Sequence, residues 1–69
     1  PPPDEQAMVL RAALFSLPEK YRIPLTLHLL EGYTLQEVAG LLSLPLGTVK
    51  TRVARAKQKL EQEVSDHAQ

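Results

Sequence analysis

Val49, Val53, Ala56 and Leu60 recur at steps of four, three and four residues. That spacing lays a single apolar stripe along a helix. Interleaved with it stand Lys50, Arg52, Arg55, Lys57 and Lys59, and residues 45–60 contain no Asp or Glu. At about 100° per residue, Thr51, Ala54, Arg55 and Gln58 fall opposite the stripe, with Lys50 and Arg52 beside them. Pro45 fits a first helical turn, where its missing N–H has no intrahelical partner to lose. Such a helix must be dry on one side and basic on the other. Its shape suits the major groove of DNA, although a merely solvated basic face gives the same pattern. The segment before it decides between the two.

The chain has 69 residues, enough for one small domain that buries only about 60% of its unfolded surface. It has no cysteine, so neither a disulfide nor a thiolate metal site can staple it. His28 and His67 lack ligand-like spacing, and the sequence implies no metal and no cofactor. Stability must come from packed apolar helix faces. Phe15, Tyr21 and Tyr33 are the whole aromatic complement, too few for a base-stacking single-strand or RNA platform. The formal net charge is zero, yet it is unevenly spread. Residues 1–44 sum to −2, residues 45–60 to +5 and residues 61–69 to −3. A local basic patch matters more to a polyanion than the total. With no membrane-length apolar run and no signal-peptide pattern, a cytoplasmic location is expected.

In chain order, Pro1–Pro3 resemble the end of a linker, so that residues 1–4 read as a linker remnant. Asp4 is a good N-cap for a helix over 5–16, with Ala7, Leu10, Leu14 and Leu17 on one face and Met8 and Phe15 beside them. Pro18 and Glu19 suit the first turn of a second helix over about 18–31. Tyr21, Leu25, His28 or Leu29, and Leu30 are expected inward. Pro24 removes a helical N–H bond and predicts a kink. Gly32 suits a left-handed cap. Thr34 and Glu37 form a capping box for a helix over 35–42, with Leu35, Val38, Ala39 and Leu42 inward. Ala39 and Gly40 are small enough to let another helix cross closely. A turn at Ser43-Leu44-Pro45 then leads into the basic helix, which should end near Val64 and leave 65–69 frayed. A short helix, a tight turn and a longer basic helix make a helix-turn-helix, whose second helix enters the major groove. The fold expected over 5–64 is therefore an all-α four-helix domain with a C-terminal helix-turn-helix and no winged elements.

Four runs together resemble region 4 of bacterial RNA polymerase sigma factors, above all the extracytoplasmic-function group. They are Leu17-Pro18-Glu19-Lys20-Tyr21-Arg22, Glu31-Gly32-Tyr33-Thr34-Leu35-Gln36-Glu37-Val38-Ala39, Leu44-Pro45-Leu46-Gly47-Thr48-Val49-Lys50-Thr51-Arg52, and Ala54-Arg55-Ala56-Lys57 with Leu60. The resemblance covers about residues 9–63, and its most specific part runs from Pro45 to Arg52 and on through Arg55-Ala56-Lys57. It implies sequence-specific binding of double-stranded DNA at the −35 promoter element. It also implies docking on the β flap of RNA polymerase and, in many relatives, capture by an anti-sigma factor. Region 2, which melts the −10 element, is not among these residues, so this segment alone is not expected to direct initiation.

Positions matching the family's base-reading surface are Lys50, Thr51, Ala54 and Arg55. Thr48, Arg52 and Lys57 match positions near the phosphates. The chemistry agrees. Arg55 can fork onto guanine, Lys50 can donate to guanine acceptors, and Thr51 can donate, accept or offer its methyl to thymine. Thr34 to Gln36 can present helix N-terminal N–H groups to a phosphate. Relatives often carry a larger side chain where Ala54 stands, so one base is expected to be read by a methyl alone. Arg52 could instead pair with Glu37.

Two other functions fit parts of the pattern. A response-regulator helix-turn-helix domain shares the layout but should dimerise through a terminal helix, whereas a sigma region 4 should be a monomer. A protein-interaction module would act mainly through polymerase or an anti-sigma factor. An enzyme is not expected: there is no cysteine nucleophile, phosphate-cradling glycine loop, carboxylate pair or metal-ligand cluster.

Overall fold

A computed structural model of the protein describes residues 4–67. Pro1–Pro3 and the last residues of the expected frayed tail, Ala68 and Gln69, lie outside the described residues. The described chain is all-α: α1 (Glu5–Ser16), α2 (Glu19–Leu29), α3 (Leu35–Leu42) and α4 (Leu46–His67). α4 packs against each of the other three helices, while α1 and α3 do not touch each other. Its 22 residues span roughly 33 Å at a rise of ~1.5 Å each, so one rod serves the whole domain as its spine.

The helix starts follow the capping chemistry. The Asp4 carboxylate accepts from the Gln6 N–H at 3.0 Å. At α3 both halves of the capping box form: the Thr34 hydroxyl accepts from the Glu37 N–H at 3.1 Å, and Glu37 Oε1 accepts from the Thr34 N–H at 3.0 Å. Pro18 and Pro45 each stand one residue before their helix rather than inside its first turn. Pro18 is the extended N-cap of α2, and the Pro45 carbonyl receives the Val49 N–H of α4 at 3.1 Å. Each proline still sets φ at a helix entrance, where its missing donor costs nothing.

α2 runs as one helix across Pro24, and Pro24 and Leu25 are both fully or almost fully buried. Burial of the pyrrolidine ring in the core offsets the donor the helix loses there. α2 ends two residues before the expected 31, and Gly32 takes φ +82°, the left-handed value expected of it. The turn between α3 and α4 is closed by Ser43, also left-handed at φ 55°, with the Leu44 N–H returning to the Ala39 carbonyl at 3.0 Å. α4 continues through Ser65 and Asp66 to His67, beyond the end expected at Val64.

The core consists of Ala13, Leu14, Leu17, Leu25, Val38, Ala39, Val49, Val53, Ala56 and Leu60. Every member of the α4 stripe is there. Leu10, Tyr21, Leu27, Leu35, Leu42, Leu44 and Val64 pack partly buried around it. Two expectations fail. Leu30 is 52% exposed, and Leu27 takes the inward place instead. Gly40 is no close-crossing point: a Cβ built there would meet nothing within 4 Å, and only its neighbour Ala39 faces the core.

Candidate nucleic-acid interface

α4 presents its polar side as the periodicity requires. Lys50, Thr51, Ala54 and Arg55 are all exposed, whereas Thr48 and Arg52 are half-buried. The steps from Thr48 to Arg52, Arg55 and Lys59 are four, three and four, so these residues share one flank of the helix. Lys50 and Lys57, seven apart, share the other. Thr51, Ala54 and Gln58 form the crest between them. The structure thus brings the four expected base-reading residues to one accessible surface, with positive charge on both sides of a crest of small and neutral groups.

Two assignments narrow on inspection. The Thr51 hydroxyl donates to the Gly47 carbonyl one turn back, at 3.0 Å. Its proton is therefore committed within the helix, leaving its lone pairs and its methyl to meet a base. At the start of α3, the Thr34 N–H is taken by Glu37, so the N–H groups left facing outward are those of Leu35 and Gln36. The hydrogen bonds that the Thr34 backbone and side chain make to Glu37 hold its carboxyl below its ordinary pKa. A carboxylate accordingly stands at this helix terminus at neutral pH, which weakens it as a phosphate site. With its carboxylate spent on Thr34, Glu37 serves the cap rather than Arg52.

A feature that linear spacing does not reveal lies where α2 meets α4. The Tyr21 ring is partly buried against the core. Lys20 Nζ stands 5.1 Å from its centroid and Lys59 Nζ 5.4 Å, within the range of cation–π attraction. Arg55 approaches the hydroxyl. Burial alone would raise the pKa of the phenol. The nearby cations Lys20, Arg55 and Lys59 outweigh burial and lower it. The sequence alone places Tyr21 inward and Lys59 among the cations of the basic helix. An aromatic residue three places after a helix-opening proline, facing a flank with cations four apart, was the available signal, but the pairing of the two helices is needed to use it. His28 Nδ1 lies 2.7 Å from the Tyr33 carbonyl and ties the end of α2 to the loop before α3.

Between α1 and α2, Leu14, Phe15, Ile23, Leu27 and Leu30 line an apolar groove flanked by Arg11 and Arg22. Phe15 is 76% exposed. Among the described residues there is no cluster of potential metal ligands, and no helix is long and apolar enough to cross a membrane.

The sequence profile of the family described as "Sigma-70, region 4" matches residues 2–60. The chain belongs to the sigma-70 region 4 family. It is 33% identical over 61 residues to the ECF RNA polymerase sigma-E factor of Escherichia coli strain K12, covering 88% of this chain and 32% of that protein. It is 32% identical over 62 residues to the ECF RNA polymerase sigma factor SigW of Bacillus subtilis strain 168, covering 90% of this chain and 33% of that protein. The chain therefore spans about a third of the length of these relatives. In this region 4 domain, the helix-turn-helix is formed by α3 and α4.

Proposed function

We propose that this domain binds double-stranded promoter DNA at the −35 element, as the part of a sigma factor that helps direct RNA polymerase to promoters. The observation that carries the reading is the division of α4. Val49, Val53, Ala56 and Leu60 are buried on one side, and Lys50, Thr51, Ala54 and Arg55 are exposed on the other. In this reading α4 lies in the major groove. Arg55 forks onto guanine, Lys50 donates to guanine acceptors, Thr51 accepts or packs its methyl on thymine, and Ala54 offers apolar contact alone. Thr48, Arg52 and Lys57 sit against phosphates on either side, and Gln36 with the free N–H groups of α3 meets the backbone beyond. Thr34 acts there through its cap, which holds the α3 terminus in place.

The domain also engages protein. The apolar groove between α1 and α2 is the surface proposed to dock on the β flap of polymerase, and an anti-sigma factor would compete for region 4. A single domain with about three to five phosphate contacts binds weakly, with a salt slope near −0.9 per contact. Tethering to polymerase supplies the missing affinity through effective concentration.

Arg55→Ala tests the reading. Discrimination at one base pair should fall by roughly 1–3 kcal/mol while polymerase binding persists. Unchanged promoter selectivity would reduce the domain to a protein-docking module.

A further inference from the structure

We propose that Lys20, Tyr21 and Lys59, with Arg55 at their inner edge, form a phosphodiester-binding site on the seam of α2 and α4 that carries the DNA contact beyond the helix-turn-helix. This rests on the reading of α4 as the DNA-facing helix.

The placement comes from two elements. Lys20 belongs to the first turn of α2 and Lys59 to the distal half of α4, yet both ammonium groups stand within 5.4 Å of the centroid of one ring. Arg55 and Lys59 are four residues apart, so they project from the same flank of α4 toward α2. The charged groups that act on the Tyr21 hydroxyl are all cations: Lys20, Arg55 and Lys59. Like charges gathered this closely repel one another, and an anion between them removes the repulsion. A phosphate also offers acceptors to every donor present, as an ammonium is a point-charge partner for it and a guanidinium a forked one.

Tyr21 gives the site its chemistry. Its ring rests on the core, which fixes its position. The Arg55 guanidinium stands near enough to its hydroxyl to lower the phenol's pKa together with Lys20 and Lys59. Tyr21 is only partly buried, no hydrogen bond among the described residues takes its hydroxyl, and no buried side-chain polar atom there lacks a partner, so the hydroxyl reaches the surface. A phenol hydroxyl at the surface can give its proton to an acceptor outside. In the proposed site the Tyr21 O–H donates to the phosphate, beside the cations of Lys20, Lys59 and Arg55. Arg55 also borders the crest of Thr51 and Ala54, so the site adjoins the proposed base-reading surface. A DNA strand is favoured over an acidic protein segment because the site continues the exposed basic face of α4 without a break.

The test is equilibrium binding of this chain, against potassium chloride concentration, to a duplex carrying its preferred element and to a scrambled duplex of equal length. Lys20→Gln and Lys59→Gln should each make the plot of log K against log salt shallower by about 0.9 on both duplexes. Tyr21→Phe, which keeps the ring and its packing, should weaken both by roughly 2- to 12-fold and leave the lysine slopes in place. Arg11→Gln, a charge removed beside the apolar groove, should change neither. Slopes for Lys20→Gln and Lys59→Gln equal to that of the parent would overturn the proposal, and would leave an acidic protein segment as the partner of this cluster. Failure of the base-reading assignment looks different: the parent would not discriminate between the duplexes, while the slope changes would persist. Absence of binding to either duplex at low salt would overturn both.

Discussion

The two ends of this domain spend their exposed surface differently. α1 and α2 leave large apolar side chains in water: Met8, Phe15, Leu29 and Leu30 among them. α4 leaves almost none beyond Leu46 at its start, and shows Lys50, Thr51, Ala54, Arg55, Lys57 and Lys59 instead. The core does not require this contrast, since both ends contribute to it and α4 packs on every other helix. An apolar groove of this kind suits a protein partner, whereas exposed cations along a groove-sized helix suit a polyanion. On the proposed function, one small fold separates a protein-docking end from a DNA-facing end, with the buried core as their shared wall.

If that wall is shared, damage to it should destroy both ends together. Leu25→Ala removes a side chain with no exposed surface. It should cost about 2–5 kcal/mol, most of what a domain of this size has to spare, and chemical denaturation followed by circular dichroism would measure it. Arg55→Ala, with its roughly 1–3 kcal/mol loss at one base pair, should act at the DNA end alone. Thr34→Ala breaks the capping box and should lower stability by about 0.5–2 kcal/mol. That loss should be accompanied by faster amide exchange through α3 than through α1. Phe15→Ala should change stability by less than about 0.5 kcal/mol and still weaken association with polymerase core. A large loss of stability there would mean that Phe15 serves the fold and not a partner.

The smallest effect expected is a pH dependence at α3. Hydrogen bonds from Thr34 hold the Glu37 carboxyl below its ordinary pKa in the folded state. Glu37 therefore stabilises the fold above its unfolded-state pKa, and that contribution fades as pH falls through the lower, folded value. Glu37→Gln should flatten this acid limb of the stability curve. An acid limb unchanged by the substitution would remove Glu37 as its source.

How much of this was legible in the residues differs between the same two ends. In α4 the apolar stripe is unambiguous, because from Val49 to Leu60 every other position is polar, small or charged, and all four stripe residues are buried. The boundaries of α1 and α3 follow from Asp4, Thr34 and Glu37, whose capping bonds form as the chemistry requires. α2 is harder. Ile23, Leu25, Leu27, Leu29 and Leu30 offer more apolar residues than one face can bury, so periodicity alone could not decide that Leu27 turns inward and Leu30 outward. Gly40 looked like a crossing point because it is small, but whether anything approaches it is a tertiary fact. The grouping of Lys20, Tyr21, Arg55 and Lys59 is tertiary in the same sense: it requires α2 and α4 to be side by side.

Selection from a randomised duplex pool at low salt, followed by sequencing, addresses the role of α4 most directly, with the Lys50→Ala/Arg55→Ala double variant run in parallel. Enrichment of a short motif by the parent, abolished in the double variant, is the outcome expected of a base-reading helix. Weak binding without enrichment, hardly altered by the two substitutions, would contradict it and leave the apolar end as the working surface of the domain.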